Sequence, residues 1–137
     1  VTLVDASAIV AILTREPDAD LLADSLETAR DAITSPVAVF EAALGLRRKR
    51  HASVEEARLD VSNFLTLAGV ATVPITALDA ETALEAFARY GKGTGHPAQL
   101  NLGDCFSYAV ARNRRISLLF KGDDITKTDI GSPSVTG

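Results

Sequence analysis

The residues of this sequence best suited to chemistry are its carboxylates. Asp5 stands between the apolar run Thr2-Leu3-Val4 and a second apolar run, Ala8 to Leu13. Glu41 falls within "SPVAVFEAALGL"; on a helix its i±3 and i±4 neighbours are Val37, Ala38, Leu44 and Gly45. It therefore projects from an apolar or small-residue face, where glutamate is rarely buried unless paired. Asp104 follows Gly103 and opens "DCFSYAVARN", while Asp123 and Asp124 follow the apolar run "SLLF". Singly, each acid has a plain structural explanation. Asp5 and Asp104 can cap helices, Asp123 and Asp124 can be turn residues, and Glu41 can snorkel at the edge of a face. As a set they are harder to dismiss, because converging carboxylates repel one another unless a cation sits among them. All-oxygen ligation selects Mg²⁺ or Mn²⁺ over zinc. The only histidines are His51 and His96 and the only cysteine is Cys105, so no nitrogen- or sulfur-rich site competes.

These acids must be positioned by the elements around them. Residues 2–4 read as a short buried strand, followed by a helix to Leu13 that "EPDAD" interrupts. Residues 21–29 continue as an amphipathic helix and 31–34 as a second strand. Ser35 and Pro36 form a helix start, cap then first turn, for 36–50. Ser53 and Glu56 have capping-box spacing for a helix to about Leu67. "VATVPI" (70–75) is a third strand and 76–90 a helix with apolar positions at Leu84, Phe87 and Ala88. A Gly-rich loop spans 91–103, Asp104 opens the next helix, and 117–120 is a fourth strand. Strands alternating with amphipathic helices predict an α/β fold: a central, mainly parallel sheet of four or five strands flanked by helices. In such sheets ligands bind beyond the carboxyl ends of the strands, where Asp5, Asp123 and Asp124 fall.

The bulk properties narrow the class. A chain of 137 residues, 47% hydrophobic and 23% charged, predicts one folded domain spanning 1–137 rather than a disordered segment. One cysteine allows no internal disulfide, no signal-peptide pattern opens the sequence, and no apolar run reaches the roughly 18 residues that span a bilayer. The expectation is a cytoplasmic protein without a membrane. A net charge of −4 argues against nucleic-acid binding by overall attraction. The run Arg47, Arg48, Lys49 and Arg50 is the exception. It suits a helix C-terminus, and equally a phosphate footprint.

Two tempting motifs fail. "GKGTG" (91–95) follows a helix and lacks the G-x-x-x-x-G-K-[ST] pattern of a phosphate loop. An aspartyl-phosphate enzyme of the haloacid dehalogenase kind needs D-x-D, and Ser7 occupies the second position. His96 reads as a loop residue and Cys105 as a small core side chain.

Taken together, "VDASAIVAIL", "SPVAVFEAALGL", "HPAQLNLGDCFSYAVAR" and "LLFKGDDITKTDI" resemble the PIN domain, and more narrowly the VapC-type toxin ribonucleases of bacterial toxin–antitoxin pairs. The resemblance covers nearly the whole chain. It implies a PIN-like fold and metal-dependent endonucleolytic cleavage of RNA, leaving a 5′-phosphate and a 3′-hydroxyl. Asp5, Glu41 and Asp104 match the family's first three acids, and Ser7 the hydroxyl residue that orients the first. Asp124 matches the recurrent fourth acid, and Asp123 replaces an amide as a further candidate ligand. Asp129 matches a recurrent structural or supporting residue. Arg47, Arg48, Lys49 and Arg50 follow Glu41 on the same helix and are candidates for leading the RNA backbone toward the acids. The resemblance also implies a cognate VapB-type antitoxin and a homodimer, with 18–29 and 53–68 as candidate contact segments. The alternative is a catalytically degenerate PIN-like module that binds RNA or protein.

Overall fold

The computed structural model describes residues 1–122 and 125–130. Its elements are β1 (Thr2–Val4), α1 (Ala6–Leu13), α2 (Ala19–Thr28), β2 (Ala32–Thr34), α3 (Pro36–Arg50), α4 (Val54–Ala68), β3 (Ala71–Thr72), α5 (Ala77–Tyr90), α6 (Leu102–Arg114) and β4 (Ser117–Leu119). A single 3₁₀ turn follows at Ile125–Lys127. The four strands are all parallel, in the order β3-β2-β1-β4. The chain builds outward from β1 to β3 and then returns to add β4 on the other side of β1. That reversal opens a crevice at the carboxyl ends of β1 and β4, the usual binding position in open parallel sheets.

Alternation along the strands divides the core in two. Val4 and Leu119 pack with α1 to α4, while Leu3 and Leu118 pack with α5 and α6. Helices therefore cover both sheet faces, as parallel pairing requires. Leu22 and Leu26 of α2, and Ala57, Val61 and Leu65 of α4, are all spent in the first core. The segments 18–29 and 53–68 thus spend one face in the core, and still expose Leu21, Val54, Leu59 and Leu67.

Three local expectations are corrected. The third strand is only Ala71–Thr72, because it is an exposed edge and Pro74 has no N–H with which to extend the ladder. Helix α6 begins at Leu102 with Asn101 as its N-cap, which places Asp104 at the third helical position. Leu84 and Phe87 do not face the core; they are exposed, and α5 buries Ala83, Ala86 and Tyr90 instead. Small residues let α5 and α6 approach closely, leaving the larger side chains outside. The Ser35 cap is as expected, its hydroxyl accepting from the Ala38 N–H at 3.1 Å, with Pro36 in the first turn.

Candidate active site

Asp5 sits where β1 ends and α1 begins. Its N–H pairs with the Leu119 carbonyl at 2.9 Å, tying it to the crevice between β1 and β4. The carboxylate caps α1 by accepting from the Ser7 N–H at 2.9 Å, and also accepts from the Ser7 hydroxyl at 2.6 Å. Its other oxygen accepts from the Ser107 hydroxyl of α6. Ser7 Oγ in turn accepts from the Lys121 N–H at 2.9 Å, so its single proton must point at Asp5. Asp5 is only 4% exposed and is fixed by bonds from two helices. A carboxylate has roughly four acceptor positions, and bonds among the described residues fill three of them.

Glu41 reaches the same place from α3. Its carboxylate lies against Gly103 so closely that a Cβ built there would stand 2.0 Å from Oε1. The contact explains a glycine in the first turn of α6. Burial, and then repulsion from Asp5, push the Glu41 carboxyl above its ordinary range; Arg48 only partly offsets them. Asp104 completes the arrangement. Its N–H donates to Asn101 Oδ1 at 2.9 Å and its Oδ2 accepts from the Asn101 N–H at 3.1 Å, a reciprocal cap of α6. The predicted capping role is real, but it is shared with Asn101.

Asp5, Glu41 and Asp104 all line one cleft of about 270 Å³, whose rim carries Arg48, Lys49 and Lys121. Three elements far apart in sequence thus deliver acids to one concavity. Among the described residues, no three His, Cys, Asp or Glu side chains form a ready-made cation cage. The donor chemistry nevertheless fits a hard divalent cation: the acids are oxygen-only, and Glu41 is held where its charge is opposed by burial and by Asp5. Asp123 and Asp124 lie outside the described residues.

The basic run of α3 divides. Arg48 and Lys49 face the cleft, and Arg47 does not line it. Arg50 is committed elsewhere, to the Leu13 carbonyl and to Asp60 at 3.1 Å. Asp129 does not line the cleft either. It accepts from Tyr108 at 2.5 Å and from Arg112 at 2.6 Å, pinning the end of the described chain to α6. Burial opposes ionisation of Asp129, but Tyr108 and Arg112 outweigh it and hold the carboxyl below its usual range. His96 is a loop residue whose Nδ1 accepts from the Ala98 N–H at 3.0 Å. The Cys105 thiol is buried, and burial followed by Asp104 pushes its pKa up to about 11, which leaves it inert.

Two participants were not foreseen. Ser107 lies three residues beyond Asp104 and so shares its helix face; that i+3 spacing was the available signal. Ser107→Ala is expected to cost about 1.5–3 kcal/mol, the range for a hydrogen bond to a charged group, because Asp5 stays buried without that donor. Urea unfolding at neutral pH would measure it. Lys121 lies two residues past the end of β4, and its position beyond a strand's carboxyl end was the available signal there.

Lys121 and Lys49 both pair with Glu16, Lys49 at 2.8 Å. The Lys121 bond, then the Lys49 bond, overcome partial burial and lower the Glu16 pKa from 4.5 to about 2. A depressed carboxylate pKa stabilises the fold above the unfolded value and loses that contribution as pH falls through the folded value. The stability advantage of wild type over Glu16→Gln is therefore expected to be full above about pH 4.5 and to vanish toward pH 2. Denaturant unfolding of both proteins across that range tests the sign.

The PIN domain family profile matches residues 2–131. A VapC ribonuclease of Rhizobium meliloti is 41% identical over 93% of this chain and 98% of its own length. Ribonuclease VapC42 of Mycobacterium tuberculosis is 43% identical over 93% of this chain and 95% of its own. The crystal structure of Mycobacterium tuberculosis VapC20, described as a sarcin–ricin loop cleaving toxin, superposes with a TM-score of 0.71. It covers 92% of this chain and 93% of that one at 19% identity, a likeness of fold. The family match over residues 2–131 and the identity with relatives covered almost end to end lead to one conclusion: the chain belongs to the PIN domain family and, within it, to the VapC group.

Proposed function

We propose that this chain is a metal-dependent endoribonuclease toxin that hydrolyses RNA phosphodiester bonds. The observation that carries the reading is the delivery of Asp5, Glu41 and Asp104 to one cleft at the sheet's carboxyl edge. Full-length relatives named as VapC ribonucleases support it.

In this reading Asp5, Glu41 and Asp104 hold Mg²⁺ or Mn²⁺, with Asp124 or Asp123 as further candidates. Such a cation, when bound, supplies Lewis acidity toward water and toward the attacked phosphate. Ser7 and Ser107 fix the direction of the Asp5 lone pairs, and Gly103 leaves room for Glu41 to reach the cleft. Arg48 and Lys49 offer positive charge to the RNA backbone. No histidine base lines the cleft, which suits a reaction in which the carboxylates direct water.

The same reading includes a cognate VapB-type antitoxin, a cytoplasmic site of action and a homodimer. No helix among the described residues is long and apolar enough to cross a membrane. An open apolar groove of about 370 Å³ between α5 and α6 is lined by Leu84, Phe87, Leu102 and Phe106.

The test is incubation of the purified protein with a structured RNA pool in Mg²⁺, Mn²⁺ or EDTA. Cutting with either metal, leaving 5′-phosphate ends and absent in EDTA, is expected. Equal cutting in EDTA, or none under any condition, would sink the proposal.

A further inference from the structure

The pairing of Glu16 with two lysines is unusual in where it happens. Lys49 comes from α3 and Lys121 from the end of β4, yet their ammonium groups meet the two oxygens of one carboxylate. They do so on the wall of the cleft that holds the acids. The side chains of Lys49 and Lys121 remain 48% and 35% exposed, so neither is sealed in the interior by its pairing. Each has three N–H donors and spends only one on Glu16. Arg48 adds a third cation on the same rim. Asp18, whose Oδ1 is 4.0 Å from Lys121, and Glu16 together offset two of the three charges.

The backbone fixes where this group lies. The Lys121 N–H is bonded to Ser7 Oγ, which itself holds Asp5. One serine therefore ties the Lys121 backbone to Asp5. We propose that Lys49 and Lys121, with Arg48, form a phosphate subsite for the RNA phosphodiester adjacent to the one attacked. Glu16 gathers the two ammonium groups and partly masks their charge. The inference rests on the nuclease reading and adds to it Lys121, and Glu16 as a carboxylate that opposes binding while it positions.

The partners of this ion pair have opposite expected signs, which separates a binding role from a structural one. The probe is a fluorescein-labelled single-stranded RNA of mixed sequence, in EDTA, with anisotropy followed from about 50 to 200 mM salt. Lys49→Met and Lys121→Met, which keep an apolar stem, are expected to weaken binding several-fold. Each should lower the slope of log K against log salt by about 0.7, the value for one phosphate contact to a single strand. Glu16→Gln should tighten binding, and Lys92→Met, outside the cleft, should change nothing. Lys121→Arg should bind as wild type even if its melting temperature falls. The subsite is overturned if the lysine variants bind RNA as wild type does, or if Glu16→Gln weakens binding alongside them. Wild type that neither binds this RNA nor cuts RNA with metal would remove the nuclease reading, and the subsite with it.

Discussion

Asp5→Asn is expected to reduce RNA cleavage by roughly 100-fold or more, since even partners behind a metal ligand are worth 10–100-fold. The fold should survive. Asparagine has the same shape, and its carbonyl can still accept from the Ser7 N–H and hydroxyl and so cap α1. Its amide then faces Ser107, whose hydroxyl can rotate from donor to acceptor. What is lost is the negative charge, in a place where charge has no structural duty that an amide cannot perform. Asp5→Ala, by contrast, removes the cap, which alone costs about 1 kcal/mol, and the Ser107 bond as well. Cleavage rates with Mn²⁺, beside melting temperatures, separate the two. An Asp5→Asn protein that cuts at the wild-type rate would place the chemistry elsewhere.

Gly103→Ala carries the second large effect, and it acts without touching a charged residue. The new Cβ would lie 2.0 Å from Glu41 Oε1, 2.4 Å from Cδ and 2.6 Å from Oε2. All three are the far end of a flexible side chain, so Glu41 swings away rather than α6 unfolding. Alanine is also the better helix former, by about 1 kcal/mol. The expected result is a melting temperature equal to or above wild type, with cleavage reduced roughly 10-fold or more as the displaced carboxylate leaves its partners. Activity and thermal unfolding of the one variant test both halves. A fully active Gly103→Ala would mean that Glu41 is not required where it stands.

Much of this arrangement is legible in the sequence. Asp5 after an apolar strand, Ser35-Pro36 before a helix and the alternation of short strands with helices are local patterns, and local geometry realised them. What could not be read depends on contacts between distant segments. Asn101 and Asp104 are both good capping residues, and only the close of the preceding loop, where Gly91 pairs with Leu100, decides which one starts α6. The exposure of Leu84 and Phe87 follows from how closely α5 approaches α6, which no periodicity reports. The pattern around Glu41 marked it as misplaced, but not that a missing side chain at Gly103 makes its place. In the basic run, composition could not tell Arg48 and Lys49, which face the cleft, from Arg50, which is tied to Leu13 and Asp60.

The bond from Ser107 to Asp5 spans 102 positions of sequence, and β4 pairs directly beside β1. Contacts of such long range carry a large loop-closure cost and form late relative to local helices. A chain emerging from the ribosome holds Asp5 and Glu41 early, but neither Asp104 nor the strand that completes the crevice. Its acids stay dispersed and solvated until α6 and β4 dock. The topology thus works as a timer: an enzyme that destroys RNA cannot assemble its site while most of its own chain is still being translated from one.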